Sequence, residues 1–203
     1  MVKRHLFFCV FGVLVLGFGS AICRIGQVGL DPCTSMNVGI AQGIHSTLGI
    51  TMMTFQVILL AAVFILDKSY IGWGTFINAL CLGYCIDGFT AFFMAIFSLP
   101  DVPGIIMRIL CMIFGISFIT LGVSLYFTGN LGLSPYDAVG KIFSDKTPLS
   151  YPICRILTDV LCVILGFCLK GPIGPGTVIT AFFMGPLIQF WNKKVSEPLF
   201  NRY

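Results

Sequence analysis

Gly29-Leu30-Asp31-Pro32-Cys33-Thr34 and Gly132-Leu133-Ser134-Pro135-Tyr136-Asp137 are two versions of one hexapeptide, standing 103 positions apart. Upstream at the same spacing, Gly19 pairs with Gly122 and Gly26 with Gly129. Downstream, Ile71-Gly72-Trp73-Gly74-Thr75-Phe76-Ile77 reads against Ile173-Gly174-Pro175-Gly176-Thr177-Val178-Ile179 at a spacing of 102. That match runs on through Ala79 with Ala181, Gly83 with Gly185 and Ile86 with Ile188, so a one-residue gap joins the two registers. Apolar helices resemble one another in composition, but chance does not keep glycine, proline and threonine in step. The chain therefore reads as two tandem copies of one unit, about 6–99 and about 105–192, within a single domain over 1–203.

The solvent of that domain follows from composition. Hydrophobic residues make up 57% of the chain and charged residues 10%, with a mean hydropathy of +0.99. Soluble domains carry about 25% charge, so most of this surface faces lipid. Six apolar runs supply the membrane helices: Leu6 to Ile22, Met53 to Leu66, Phe76 to Leu99, Ile105 to Phe127, Leu149 to Leu169 and Val178 to Trp191. A bilayer crossing takes about 20 such residues; four runs reach that length alone and two with their flanks. No separate soluble domain fits in what is left. The first run, with Lys3 and Arg4 before it and Gly17, Gly19, Ser20 and Ala21 near its end, has the outline of a secretory signal. Its recurrence in the second unit makes it a retained helix instead.

Each unit has four parts: a long helix, a glycine turn opening a short polar helix, a second long helix, and a Gly-x-Gly-Thr turn opening the last. The expected helices are 6–23, 31–46, 51–67 and 74–99, then 105–127, 134–146, 149–169 and 176–192. Proline in the first turn of each short helix loses no hydrogen bond, Asp31 and Ser134 are placed as N-caps, and Gly29 and Gly132 let the chain turn. Twelve to sixteen helical residues rise about 18–24 Å, less than a hydrocarbon core of about 30 Å. The expected fold is an all-α integral membrane protein with six transmembrane helices and two short half-helices, its repeats inverted. Eight crossings in parallel repeats are the alternative. Either arrangement puts Lys3, Arg4, Lys141, Lys146, Lys193, Lys194 and Arg202 inside and Arg24 and Lys170 outside. They exchange only Lys68 for Arg108, so the charge rule does not choose. Both termini are expected in the cytoplasm.

The sequence Gly-Leu-Ser-Pro-Tyr-Asp at 132–137, with Gly-Pro-Gly-Thr at 174–177, resembles the YczE/YitT-type family of bacterial membrane proteins, and the resemblance covers essentially the whole chain. It implies a bacterial inner-membrane location. The first copy departs from the pattern, with Cys33 in place of the aromatic and Thr34 in place of the aspartate. Whatever the acid at 137 does is not duplicated at 34, although Asp31 stands nearby.

Ionisable groups inside a membrane are costly, and each is a functional candidate. Asp87 lies within the last helix of the first unit, with Tyr84 and Asn78 on neighbouring turns; it is either a proton or cation site or a helix-end residue near the headgroups. Arg155 and Asp159 stand four apart on one helix face. They form a structural pair or an anion grip, in which Arg155 holds the ligand and Asp159 holds Arg155, or Arg155 snorkels to the cytoplasmic interface. A half-helix that begins inside the membrane offers unpaired N–H groups and a positive dipole end, and repeat-built transporters place broken helices around a midplane site. The two proline turns are thus the leading binding site, with Asp31, Thr34, Ser35 and Asn37 from one copy and Ser134, Tyr136 and Asp137 from the other. The plainer reading is that these residues cap helices and pack.

Nine cysteines are scattered without a CxxC pair, and His5 and His45 are the two histidines. Zinc or haem ligation is poorly supplied, so no metal or cofactor is expected. HExxH, GxSxG and GxxxxGK motifs are lacking, which argues against an enzyme. The net charge of +4 follows from membrane orientation and does not imply nucleic acid. The expected partners are the lipid bilayer and a small-molecule or ion ligand, with a homo-oligomer or a membrane partner possible in addition. The function expected is a small transporter or permease with its site between the repeats; the alternative is a non-transporting regulator or substrate-capture subunit of a larger complex.

Overall fold

The computed structural model describes residues 2–97 and 103–202. Eight helices carry the architecture: α1 (Val2–Ile25), α2 (Pro32–Gly43), α3 (Leu48–Leu66), α4 (Trp73–Ile96), α5 (Ile105–Gly129), α6 (Pro135–Lys146), α7 (Tyr151–Cys168) and α8 (Pro175–Trp191). A π-helical turn at Asn192–Ser196 carries α8 into a final short helix, α9 (Glu197–Arg202). There is no strand among the described residues. Each expected helix is present with its ends moved by a few residues; the expected end of the fourth at Leu99 lies outside the described residues. Five helices, α1, α3, α4, α5 and α7, are long and apolar enough to cross a membrane. At 17 residues, α8 sits at the short end of the spanning range, about 17–25.

Local chemistry sets the helix starts. The Asp31 carboxylate accepts from Thr34 N at 3.1 Å, and Ser134 Oγ accepts from Asp137 N at 3.1 Å, each ahead of a first-turn proline. At α4 and α8 the threonine of Gly-x-Gly-Thr does the work. Thr75 Oγ1 accepts from Gly72 N at 3.0 Å, and Thr177 Oγ1 from Gly174 N at 3.2 Å.

Helix α1 is the spine. It runs antiparallel to α5 along a seam where His5 and Cys9 meet Gly129, Gly19 meets Ile119 and Gly26 meets Cys111. A Cβ at Gly122 would stand 2.4 Å from Leu16 N, and one at Gly19 2.6 Å from Ile119 N. Without a hydrophobic drive between helices in lipid, close backbone approach of this kind supplies much of the packing energy. Helix α4 lies parallel to α1, with Gly74 beside Cys9 and Gly17 beside Cys85, while Gly49 of α3 meets Tyr84 of the antiparallel α4. In the other half, Trp191 Nε1 of α8 donates to Thr120 Oγ1 of α5 at 3.1 Å.

The short helices start at mid-height. Cys33 of α2 packs with Cys162, halfway along α7, Met36 lies against Gly166, and Gly39 against Leu169 at the α7 end. For α6, Ala138 and Ile142 pack with Val63, and Lys146 Nζ reaches Leu66 O, the end of α3, at 3.3 Å. Thus α2 and α6 leave the middle of the molecule for opposite ends.

Their turns dock in a reciprocal way. Gly74 N donates to Leu131 O at 2.7 Å, and Gly176 N donates to Val28 O at 2.8 Å. Leu133 N donates to Tyr70 O at 3.1 Å, and Leu30 N to Pro172 O at 3.4 Å. Gly29 and Gly132 take left-handed φ values of +91° and +102°. A Cβ on Gly29 would fall 2.5 Å from Thr177 Oγ1, and one on Gly132 would fall 2.6 Å from Gly72 N. The start of α1 and the end of the chain share one end of the molecule: His5 Nδ1 lies 2.8 Å from Gly129 O and the Arg4 guanidinium 3.7 Å from the centre of the Phe200 ring.

Candidate functional site

Where α2 and α6 begin, their first turns face one cavity of about 60 Å³. Space of that size holds a few water-sized groups, at about 10–15 Å³ each. Asp31, Cys33 and Thr34 line it from one turn, and Ser134, Tyr136 and Asp137 from the other. Long helices close the sides with Ser20, Gln56, Asn78, Tyr126 and Arg155 among the polar or ring-bearing groups. Several of the lining residues stand 102 or 103 positions apart: Leu16 and Ile119, Asp31 and Ser134, Thr34 and Asp137, Met52 and Arg155, and Leu82 and Met184.

Arg155 organises one wall. Its Nη1 makes an ion pair with Asp137 Oδ1, and its Nε faces Asp159 Oδ2 at 3.4 Å. The guanidinium lies 4.7 Å from the centre of the Tyr136 ring, close enough for a cation–π contact. Tyr136 OH donates to Asp159 Oδ1 at 2.7 Å, and Ser134 Oγ donates to Asp137 Oδ2 at 2.6 Å. Two carboxylates, one guanidinium and two hydroxyls thus satisfy each other in a buried network, in which each bond is strengthened by the low local dielectric.

Three further lining residues are polar and unmatched. Ser20, Gln56 and Asn78 are 1%, 4% and 3% exposed, and Ser20 Oγ, Gln56 Oε1 and Asn78 Oδ1 have no hydrogen-bond partner. Buried polar atoms are nearly always paired; of the unpartnered ones among the described residues, which also include Arg4 Nε and Asn37 Oδ1, three gather around this cavity.

Of the residues singled out in the sequence, the cavity brings together Asp31, Thr34, Ser134, Tyr136, Asp137 and Arg155, with Asp159 directly behind Arg155. Asn37 is fully buried but turned into its own helix, where Nδ2 donates to Cys33 O at 2.8 Å. Ser35 Oγ bonds Leu30 O and Pro172 O, both at 3.1 Å, holding the turn. Asp87 belongs elsewhere: it pairs with Arg24 Nη1 at 2.7 Å and accepts from Gly49 N at 2.7 Å, tying α1, α3 and α4 together. Asn78, one of its sequence neighbours, faces the cavity instead. The Asp137–Arg155 pair and the roles of Ser20 and Gln56 were missed in the sequence. Gln56 had a legible signal, as an amide inside an apolar run standing 103 positions before Asp159. Among the described residues no group of three His, Cys, Asp or Glu side chains is placed to hold a metal.

The profile of a family of unknown function, DUF6198, matches residues 2–193. The chain belongs to this family. YczE, an uncharacterized membrane protein of Bacillus subtilis, is 24% identical over 191 residues, which cover 94% of this chain and 86% of YczE. An uncharacterized protein of Haemophilus influenzae is 29% identical over 185 residues, 90% of this chain and 80% of the relative. YyaS of Bacillus subtilis is 26% identical over 178 residues, 88% of this chain and 87% of YyaS. No solved structure matches the chain. Membership in this YczE-type family, together with the apolar helices, makes the chain a membrane protein with bacterial relatives.

Proposed function

We propose that the protein is a small transporter or permease of the bacterial inner membrane. Its solute site is the cavity at which the two proline turns meet. The observation that carries this reading is the convergence of two short helices, from opposite ends of the molecule, on one buried polar cavity. Helix starts inside a membrane are expensive unless they line a cavity or are covered by protein, and the shared cavity at both starts supports this reading.

The arrangement in the membrane follows from the same geometry. At 12 residues each, α2 and α6 rise about 18 Å, and each returns toward the end from which its preceding long helix delivered the chain. Antiparallel packing of α1 on α5, helices in corresponding positions of the two copies, favours a two-fold axis in the membrane plane. We therefore read six crossings, two re-entrant half-helices and inverted repeats. Lys68 and Lys146 then share an end with Lys3, Arg4, Lys193 and Lys194, and Arg24, Arg108 and Lys170 lie at the other. That imbalance puts the Lys-rich end and both termini in the cytoplasm.

Uptake into proteoliposomes from a panel of small metabolites, with and without a proton or sodium gradient, tests the function. At least one solute should accumulate above empty liposomes, with the uptake reduced by Arg155→Leu and retained in Asp87→Asn. No accumulation of any solute, alongside co-purification of a stoichiometric membrane partner, would move the protein to the regulator or capture-subunit class.

A further inference from the structure

We infer that the first-unit wall of the cavity is a binding site for a small monovalent cation, held by Asp31 with the oxygens of Ser20, Gln56 and Asn78. This rests on the reading of the cavity as a ligand site and names one of its ligands.

Charge counting comes first. Asp31, Asp137 and Asp159 are three carboxylates around one cluster, and Arg155 is the one guanidinium lining the cavity. Arg155 is occupied by Asp137 and Asp159, on the second-unit wall. Asp31 receives Thr34 N on Oδ1 and makes no ion pair among the described residues; Arg155, which its charge also reaches, is directly paired with Asp137 and Asp159. Asp31 is only partly buried, and a carboxylate that lines a protein cavity without a direct ion-pair partner favours a cation beside it.

Geometry supplies the second observation. The orphaned atoms are two amide oxygens and a hydroxyl: Gln56 Oε1, Asn78 Oδ1 and Ser20 Oγ. They come from three different helices, α3, α4 and α1, and line the same cavity as Asp31. Neutral oxygens around a single carboxylate are the donor set of a hard monovalent ion, because the carboxylate balances one charge and the neutral oxygens replace hydration. Calcium takes 6–8 oxygens, usually with several carboxylates among them. Transition metals prefer imidazole or thiolate, and no suitable cluster is present among the described residues. A volume of about 60 Å³ admits sodium, potassium or ammonium with room to spare for water.

The repeat sharpens the assignment. At the matching positions of the second unit, Gln56 corresponds to Asp159, Met52 to Arg155, and Thr34 to Asp137. The second wall therefore carries its own internal cation, the Arg155 guanidinium, between two acids. The first wall has one acid, neutral amides and no basic side chain lining it. A monovalent cation beside Asp31 lowers the summed formal charge of the three acids and Arg155 from −2 to −1.

The full-length protein, purified in detergent, is unfolded thermally in choline chloride and in sodium, potassium or ammonium chloride at constant ionic strength. At least one of the three cations should raise the midpoint with a saturable dependence, as expected for a ligand that binds the folded state. Asp31→Asn keeps a competent helix cap and should abolish that rise, whereas Asp87→Asn should retain it. Asn78→Leu should weaken the half-saturating concentration by on the order of tenfold, which keeps the test alive if Asp31→Asn does not fold. Identical midpoints in all four salts, or an undiminished response in the folded cavity variants, would overturn the site. Cation binding without uptake of any solute would keep this site and remove transport; uptake with no cation response of the midpoint would remove this site and keep transport.

Discussion

Arg155 ties α7 to α6 through Asp137, and that contact sets Asp137 apart from Asp145, the other acid of α6. Asp137 reaches it from α6, with a side chain 12% exposed, whereas Asp145 lies on the exposed face with Lys141 at 2.9 Å. The Asp145 carboxyl is held below the usual carboxylate range by the Tyr70 hydroxyl and then by Lys141. Asp137→Asn should lower the thermal midpoint of the purified protein and its uptake, with a stability loss of about 3 kcal/mol, the scale for breaking a buried pair. Asp145→Asn should leave both near the parent values, since exposed pairs contribute little. Equal behaviour of the two variants would reduce Asp137 to a helix-end residue. The acid at 137 and the arginine at 155 were each legible in the sequence. Their contact was not, because nothing local to α6 or α7 says which faces meet.

At the scale of elements, the α1–α5 seam depends on the absence of side chains. A methyl group at Gly122 would press on Leu16 N at 2.4 Å, and backbone cannot yield as a flexible side chain does. Gly122→Ala should cost about 1–3 kcal/mol by overpacking, read as a lower unfolding midpoint in detergent. Gly185→Ala, where a Cβ meets nothing within 4 Å, is the matched control and should be neutral or slightly stabilising, because alanine is the better helix former. Gly132→Ala tests the turn rather than the seam: φ of +102° and the close Gly72 backbone both oppose a side chain there. It should destabilise more than Gly43→Ala, whose Cβ would stand in open space. If all these glycines tolerated alanine alike, close backbone approach would not be what holds the helices.

For the whole molecule, the direction of α2 decides the topology. With a re-entrant α2, the α2–α3 connection lies outside the cell and the α3–α4 connection inside. Gln42 and Ser69, both exposed, are suited to carry single reporter cysteines in a cysteine-free background. An impermeant thiol reagent added to intact cells should label the Gln42→Cys protein and spare the Ser69→Cys protein. The reverse pattern would mean that α2 crosses, would make the repeats parallel, and would remove the geometric basis of a site shared by two opposed helix starts. Val102, in the loop that distinguishes the same two arrangements, lies outside the described residues.

The sequence by itself determined the helices and their order. In lipid every backbone polar group must be satisfied, and a long apolar run meets that demand within itself only as a helix, with glycine and proline marking where it stops. It also located both proline turns, whose caps and left-handed glycines are local features. The tertiary structure alone decided which polar residues share a cavity. Asn78 and Asp87 lie nine residues apart on α4, yet one lines the cavity and the other pairs with Arg24. That choice is made by the glycine contacts that set how each helix is rotated and how deep it sits against its neighbours. It is a property of pairs of helices, and no pattern along one of them contains it.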